Sequence, residues 1–351
     1  MNCLTVQERM KRLNSGLPID RVPLLTNATV FSGNFARLTA EKFFCNMESM
    51  FHSQLMTRSL FGCHGAPSFS HVNWVGESLG SENTYANSEF GILIPQIKPI
   101  IKSVKDAEEF SLPNSLNTQV LKWRYEFIEI ARANGFSKVA MTAGSVIEML
   151  TQIVDVSLLF RWMIREPELV FKLCDQMAEY LLQIIDSDIK QYGVDNCIAL
   201  FFYPMEAKGI MSPRLVEKYS FPYIEYMHQQ LTERGVSNYN EHLCGNHNEN
   251  LLFFKNLNLP SRTNFSLDEK TDLLKTSTYL GSDYIISGNV STKILVSGSI
   301  QDVINECQQI IEIGKKLKGG FILAPSCDLP PNAPPLNLYA MNEAICKYGT
   351  Y

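Results

Sequence analysis

The feature that most constrains the fold of this chain is a regular alternation of short apolar runs with longer amphipathic stretches. Short apolar runs are typical of buried parallel strands, and apolar residues spaced by three and four positions are typical of helices. The strands predicted in this way cover residues 22–25, 54–61, 138–142, 196–202, 237–242, 263–267, 284–287 and 321–324. Eight strands alternating with helices predict an α/β fold, the (β/α)8 TIM barrel. An open doubly wound sheet fits the later part nearly as well, but no glycine-rich phosphate motif follows a strand.

The helical pattern starts at the N-terminus, where Thr5 and Glu8 have the spacing of a capping box. This predicts a helical extension ahead of the barrel. The other predicted helices cover residues 39–54, 116–134, 145–160, 167–192, 213–234, 249–257, 269–280, 300–317 and 337–347. Residues 62–100 are rich in Gly, Ser and Asn and are predicted to form a loop followed by a small hairpin of 89–94 and 96–101. Without a linker or a repeat, residues 1–351 are predicted to form a single domain.

Composition excludes several classes of protein. Hydrophobic residues make up 45% and charged residues 19% of the 351 residues, which is typical of a globular protein. The net charge is −5, and no polybasic segment points to nucleic acid. No apolar stretch is long enough to span a membrane, and the charged N-terminus does not resemble a signal peptide. We therefore expect a cytoplasmic protein whose nine cysteines are reduced thiols.

Three candidate metal ligands lie at predicted strand ends, where barrel enzymes place their chemistry. His242 and Cys244 are two residues apart, so in an extended strand their side chains point to the same side. Cys327 follows the last predicted strand. One imidazole and two thiols suit zinc with an open coordination position. The alternative is ordinary packing, since cysteine often behaves as a small buried hydrophobe and a lone histidine is usually just hydrogen-bonded.

Other polar residues near strand ends are candidate substrate-binding residues. They are Asn27, Tyr203, Asn240, Glu241 and Asn289. His247 is close in sequence to the ligands, but it is predicted to be a surface histidine of a loop or helix start rather than a fourth ligand.

The segment His242-Leu243-Cys244-Gly245-Asn246 resembles the zinc motif of the methylcobamide:coenzyme M methyltransferases, in the uroporphyrinogen decarboxylase superfamily. The resemblance covers most of the chain. It is carried by the segments 5–9, 20–23, 77–80, 210–213, 222–223, 288–290, 295–298 and 319–327, and by Pro335, Asn337, Ala340, Met341, Tyr348 and Gly349. It implies a (β/α)8 barrel with zinc held by His242, Cys244 and Cys327, and no redox role for these residues.

Within the superfamily, the decarboxylase branch carries an arginine-rich loop after the first strand that grips the carboxylates of its substrate. Residues 26–34 contain no arginine here, and the first one is Arg37. A polycarboxylate would lack its usual partners, so methyl transfer is favoured over porphyrin decarboxylation. The chain departs from the methyltransferase pattern at Ser291, Thr292, Ala333 and Leu336, which leaves the polar lining of the pocket open.

The resulting hypothesis is a zinc-dependent methyltransferase that moves a methyl group from a methyl-corrinoid to a thiol such as coenzyme M. Zinc coordination would deprotonate the thiol, and His242, Cys244 and Cys327 would be the catalytic residues. The corrinoid would arrive on a separate carrier protein that docks transiently. The alternatives are a decarboxylase-type lyase of the same fold and a non-catalytic barrel that binds a corrinoid or its carrier.

Overall fold

Parallel strands in sequential order form the wall of a (β/α)8 TIM barrel in the computed structural model, which describes residues 4–89 and 91–351. Short antiparallel strands come first in the chain: β1 (Glu82–Thr84), β2 (Asn87–Ser88), β3 (Gly91–Ile92) and β4 (Gln96–Lys98). The strands of the wall are β5 (Val139–Gly144), β6 (Cys197–Phe202), β7 (Tyr239–Leu243), β8 (Asn264–Leu267), β9 (Ile285–Val290) and β10 (Phe321–Pro325). Each pairs in parallel with the next, so all their carboxyl ends lie at one rim.

The first two positions of the wall are held by extended chain that does not form regular strands. Leu24 makes a parallel bridge to Leu323, and the backbone N–H of Leu25 donates to Leu323 O at 2.9 Å. On the other side of this segment, the N–H of His64 donates to Leu24 O at 2.9 Å. The first predicted strand, 22–25, therefore lies where the barrel requires it, next to the last strand of the wall.

The strand predicted at residues 54–61 is wrong, because these residues belong to a helix that spans Met47–Phe61. Its buried residues include Met47, Met50, Gln54 and Phe61, which recur at helical spacing. The apolar run continued the preceding helix, and the chain reaches the wall only afterwards, near His64.

Helices pack around the wall and on the N-terminal side of it. Their bounds are α1 (Val6–Asn14), α2 (Thr29–Phe35), α3 (Ala40–Cys45), α4 (Met47–Phe61), α5 (Trp74–Ser78), α6 (Val104–Glu109), α7 (Gln119–Ala133), α8 (Val146–Leu150), α9 (Val156–Arg165), α10 (Pro167–Tyr192), α11 (Pro213–Leu215), α12 (Phe221–Glu233), α13 (Leu251–Asn256), α14 (Leu273–Leu280), α15 (Thr292–Ser297), α16 (Ile300–Gly314) and α17 (Pro335–Tyr348). Within the described residues, no helix is both long and apolar enough to cross a membrane.

The N-terminal helix has the predicted capping box. The Thr5 side chain accepts from the N–H of Glu8, and the Glu8 carboxylate accepts from the N–H of Thr5. Two longer predicted helices are interrupted at residues that cap a new helix. The Asn46 side chain accepts from the N–H of Ser49 and separates α3 from α4. The Asp155 side chain caps the start of α9 by accepting from the N–H groups of Ser157 and Leu158, and it separates α9 from α8.

A small antiparallel excursion lies before the main alternation of strands and helices, but its strands differ from the predicted pair. β1 pairs with β4, and β2 pairs with β3 inside them, so the hairpin runs from Glu82 to Lys98. The prediction of 89–94 and 96–101 misplaced both strands. Phe90, which belongs to the first of them, lies outside the described residues.

A buried ion pair ties α7 to α10 beneath the barrel wall. Arg124 Nη1 and Nη2 donate to Asp188 Oδ1 and Oδ2 at 2.9 and 2.6 Å, and Nη2 also donates to Ala140 O of β5. The side chains are 3% and 0% exposed. This fork satisfies the guanidinium and the carboxylate together, which is what makes two charges tolerable in an interior.

Candidate metal centre

His242, Cys244 and Cys327 meet at the carboxyl rim of the barrel. His242 lies on β7, Cys244 follows the end of β7, and Cys327 follows the end of β10. One possible ligand atom from each residue lies within 4.8 Å of those of the other two. All three residues are half-buried. Two strands stand between β7 and β10 in the sheet, so it is the curvature of the wall that brings the loops after them together.

The alternation of side chains along β7 decides which of its residues face the metal centre. Tyr239, Glu241 and Leu243 are buried on one side of the strand, while Asn240 and His242 lie on the other. Asn240 accepts through Oδ1 from Asn264 Nδ2 at 2.6 Å, across to β8. The face of β7 that carries His242 therefore also carries the hydrogen bond between Asn240 and Asn264.

The imidazole of His242 is oriented by the neighbouring strand. Its Nδ1 lies 3.2 Å from Ser266 Oγ, and its Nε2 is buried without a hydrogen-bond partner. When Nδ1 carries the proton and donates to Ser266, the lone pair at Nε2 is left free. A buried, unpaired nitrogen lone pair close to two sulfur atoms is the donor set that zinc prefers, so the residues fit a zinc ion.

The two thiols share a proton. The pKa of Cys327 is lowered, chiefly because the Cys244 side chain hydrogen-bonds to it; burial opposes this shift and His242 adds to it. The pKa of Cys244 is raised, first by this hydrogen bond with Cys327, then by burial, and then by the charges of Cys327, Asp268 and Glu148. One thiolate is therefore favoured even without a metal, and a cation bound here would favour the second.

Two carboxyl groups, Glu148 and Glu206, follow the neighbouring strands β5 and β6 at the same rim. Glu148 lies in the first turn of α8, directly after β5, and burial followed by the charge of Glu206 raises its pKa to about 7. Glu206 follows β6 and is 2% exposed. Its Oε1 accepts from Ser145 Oγ at 2.6 Å and from Ser220 Oγ, while its Oε2 is buried and has no partner.

Tyr203 and Glu241, both predicted to bind substrate, lie together but away from the metal centre. The Tyr203 hydroxyl donates to Glu241 Oε2 at 2.5 Å, and Glu241 Oε1 lies 3.2 Å from His228 Nε2 on α12. Both residues are 0% exposed. They form a hydrogen-bonded cluster between the strands and the helices, on the face of β7 opposite to His242.

The other predicted substrate-binding residues lie nearer the rim. Asn240 is on the same face of β7 as His242. Asn27 is exposed on the loop after the first wall segment, and its carbonyl accepts from the N–H of Leu329 at 2.7 Å. Asn289, on β9, donates through Nδ2 to the carbonyls of Asp268 and Thr271 and borders a cleft between the 268–271 loop and α16.

His247 is not a surface histidine, and that prediction is wrong. It is 0% exposed, and its Nε2 contacts the carbonyls of Tyr203 and Cys244 at 2.9 and 3.2 Å. Burial lowers its pKa to about 4. The residue therefore supports the loop that carries Cys244, and its Nε2 is engaged with carbonyls rather than with the sulfur atoms.

Among the described residues, the other cysteines are not part of the ligand cluster. Cys63, Cys174, Cys197 and Cys307 are buried, Cys45 is partly buried and Cys346 is exposed. Burial raises the pKa of the Cys63 and Cys197 thiols to about 11, so both stay protonated. Cys3 lies outside the described residues.

Sequence analysis did not identify three residues in and around the site: Ser266, Glu148 and Glu206. Ser266 has no motif, and only its register opposite His242 identifies it. Glu148 and Glu206 lie a few residues past strand ends, which is a signal that the sequence contains, but the interaction of Glu148 with Glu206 and with Cys244 depends on how the loops fold. A search for every carboxylate within five residues of a strand end would have found both.

Comparison with known proteins gives a consistent result. The chain is 26% identical over 255 residues to the methylcobamide:CoM methyltransferase MtbA of Methanosarcina acetivorans, covering 72% of this chain and 71% of that protein. Among solved structures, a methyltransferase from Methanosarcina mazei matches with a TM-score of 0.79 at 20% identity, over 98% and 99% of the two chains. A B12-independent methionine synthase from Shewanella sp. W3-18-1, in complex with selenomethionine, matches with a TM-score of 0.51 at 14% identity, over 89% and 91%.

The family comparison covers nearly the whole chain. The model of the uroporphyrinogen decarboxylase (URO-D) family matches residues 5–348. This stretch includes every strand of the wall and all three candidate ligands. The chain therefore belongs to the uroporphyrinogen decarboxylase family.

Proposed function

We propose that this protein is a zinc-dependent methyltransferase that transfers a methyl group from a methyl-corrinoid to a thiol. The observation that carries the proposal is the buried, unpartnered Nε2 of His242 beside the sulfur atoms of Cys244 and Cys327. The similarity to a methylcobamide:CoM methyltransferase supports the reaction class, and coenzyme M is the acceptor in that protein's name.

In this proposal His242, Cys244 and Cys327 hold the metal. When bound, zinc would lower the pKa of an acceptor thiol and so supply a thiolate nucleophile near neutral pH. Ser266 keeps the imidazole in the orientation that frees Nε2. His247 anchors the loop of Cys244 through the carbonyls that it contacts, so that the second sulfur stays in place. Asn240 and Asn289, with Asn27 at the rim, are the proposed polar contacts for substrate.

The methyl transfer needs no added oxidant or reductant. The bond between the methyl carbon and cobalt breaks with its electron pair left on cobalt, a carbon–sulfur bond forms, and the thiol loses its proton. The corrinoid is a large macrocycle, so we propose that it is presented by a separate carrier protein that docks transiently at the rim.

Metal analysis of the purified protein tests the proposal. About one zinc per chain is expected in the wild-type protein, since three protein donors define one site. Cys244→Ser and Cys327→Ser should lose it. Cys346→Ser, which changes an exposed cysteine on α17, is the matched control and should keep it. Wild-type protein that is free of zinc after anaerobic purification would refute the proposal.

A second assay separates an enzyme from a binding protein. With zinc-loaded protein and methylcobalamin, addition of a thiol should change the corrinoid spectrum as the methyl group leaves cobalt. A barrel that only binds the corrinoid would leave the spectrum of the methylated form unchanged for every thiol. The decarboxylase alternative has less support, because residues 26–36 contain no Arg or Lys to bind substrate carboxylates.

A further inference from the structure

The loop that carries Cys244 is held by a neighbouring loop through one hydroxyl group. Thr271 lies between β8 and α14 and is 0% exposed. Its Oγ1 donates to Gly245 O at 2.7 Å and accepts from the backbone N–H of His247 at 2.9 Å. A hydroxyl has one proton to donate and lone pairs that accept, so this single group holds the chain at two points, one and three residues after Cys244.

The segment that carries Thr271 is itself fixed to the barrel wall. Asn289, on β9, donates through Nδ2 to the carbonyls of Asp268 and Thr271 at 3.2 and 3.1 Å. The N–H of Asp268 donates to Leu243 O, at the end of β7, at 3.1 Å. The Thr271 hydroxyl therefore has a defined position relative to β7 and β9, and it can fix the position of the Cys244 loop.

On its other side, the Cys244 loop lies against the segment that follows β6. The N–H of Lys208 donates to Asn246 O at 2.9 Å, and a Cβ at Gly245 would lie 2.7 Å from the Cβ of Ala207. Gly245 has a φ of +94°, which glycine adopts without steric cost. The contacts on this side depend on the backbone, whereas the contact with Thr271 depends on a side chain that a substitution can remove.

We propose that Thr271 is a positioning residue for the metal centre, because its hydroxyl holds the loop after β7 in the conformation that brings Cys244 Sγ to the other two ligands. The inference rests on the proposed function, in which Cys244 binds zinc. A loop that is already ordered loses less conformational freedom when the metal binds, so its sulfur atom binds the ion more tightly.

The zinc affinity of Thr271→Val tests the inference, because valine has nearly the shape of threonine and lacks the hydroxyl. The carbonyl of Gly245 and the N–H of His247 then lose a buried partner, which favours a shift of the loop. Residues that hold metal ligands in place typically contribute about 10- to 100-fold in metal affinity, so we expect the Kd for zinc to rise about tenfold or more. Thr271→Ser keeps the hydroxyl and should restore most of the affinity.

Thr276→Val is the matched control. Thr276 lies on α14 and is also 0% exposed, and its Oγ1 donates to Asp272 O at 2.7 Å at the start of the same helix. The substitution removes the same buried group a few residues away, from a contact within the helix. Both valine variants should lose some stability, but Thr276→Val should keep the zinc affinity of the wild type.

A measurement on the wild-type protein keeps the inference testable if Thr271→Val does not fold. Amide hydrogen exchange is compared with and without zinc. Zinc should slow exchange in residues 268–273 as well as in 244–248, because Thr271 joins the two segments by hydrogen bonds. Helix α7 is the internal control and should exchange at the same rate in both samples.

The outcomes separate this inference from the proposed function. If the wild-type protein binds no zinc, the methyl-transfer proposal falls and this inference falls with it. If the wild type binds zinc but the Kd of Thr271→Val is within about twofold of it, the role of Thr271 is refuted and the methyl-transfer proposal stands. An equal loss of affinity in Thr276→Val or in Thr271→Ser would refute that role too, as would slower exchange in 244–248 alone.

Discussion

Removal of one hydroxyl group should weaken metal binding without touching a ligand. In Ser266→Ala, the imidazole of His242 loses the partner that lies 3.2 Å from its Nδ1. All three donors remain, so any change in affinity reports the orientation of the ring. The imidazole left behind is half-buried, so losing this partner carries a cost.

The expected loss of zinc affinity follows from the role of a hydrogen bond that orients a metal-binding histidine. Partners that orient a metal-binding histidine typically contribute about 10- to 100-fold in metal affinity. This corresponds to about 1.4–2.8 kcal/mol, because each factor of ten in a dissociation constant is about 1.4 kcal/mol. A neutral hydrogen bond to a hydroxyl lies at the lower end, so we expect a loss of about tenfold.

The assay is competition for zinc with a chromophoric chelator at fixed pH. Ser287→Ala is a matched control, since Ser287 lies opposite Ser266 on β9, is 0% exposed, and its Oγ has no hydrogen-bond partner. It removes the same group from the same layer of the wall. A zinc affinity of Ser266→Ala within about twofold of wild type, or an equal loss in Ser287→Ala, would refute the assigned role.

Two further predictions concern stability. Arg124→Met should lower the free energy of unfolding by about 3–5 kcal/mol in urea, because it leaves the Asp188 carboxylate buried and unpaired. Lys105→Met, in an ion pair that is 77% and 68% exposed, should cost less than about 1 kcal/mol; equal losses would contradict the argument. Burial lowers the pKa values of His64 and His247 from 6.5 to about 4. The unfolded chain therefore binds these protons first, and the free energy of unfolding should fall as pH drops from about 6.5 to about 4. In His247→Gln, the free energy of unfolding should fall less over this pH range than in the wild type. An unchanged dependence of the free energy of unfolding on pH would show that His247 is not buried in its neutral form.

The candidate ligands could be predicted because they depend on short-range geometry. Strand periodicity places His242 and Cys244 on one side of a strand, and the rim of a barrel is where strand ends meet. The same parity places Glu241 on the opposite side of β7 from His242, where it contacts Tyr203 and His228. Its prediction as a substrate-binding residue did not apply this parity. The failed strand at 54–61 was a helix whose buried positions follow the helical period.

The sequence by itself determined the alternation of strands and helices, the capping box at Thr5, and a histidine and two cysteines at strand ends, because each is encoded by residues close together in the chain. The tertiary structure decided which groups stand next to them. Ser266 reaches His242 through the register of two strands, and Glu148 interacts electrostatically with both Glu206 and Cys244 only because the loops after β5, β6 and β7 fold over one rim. Contacts of this kind depend on closure of the barrel and on loop packing, which no local period encodes.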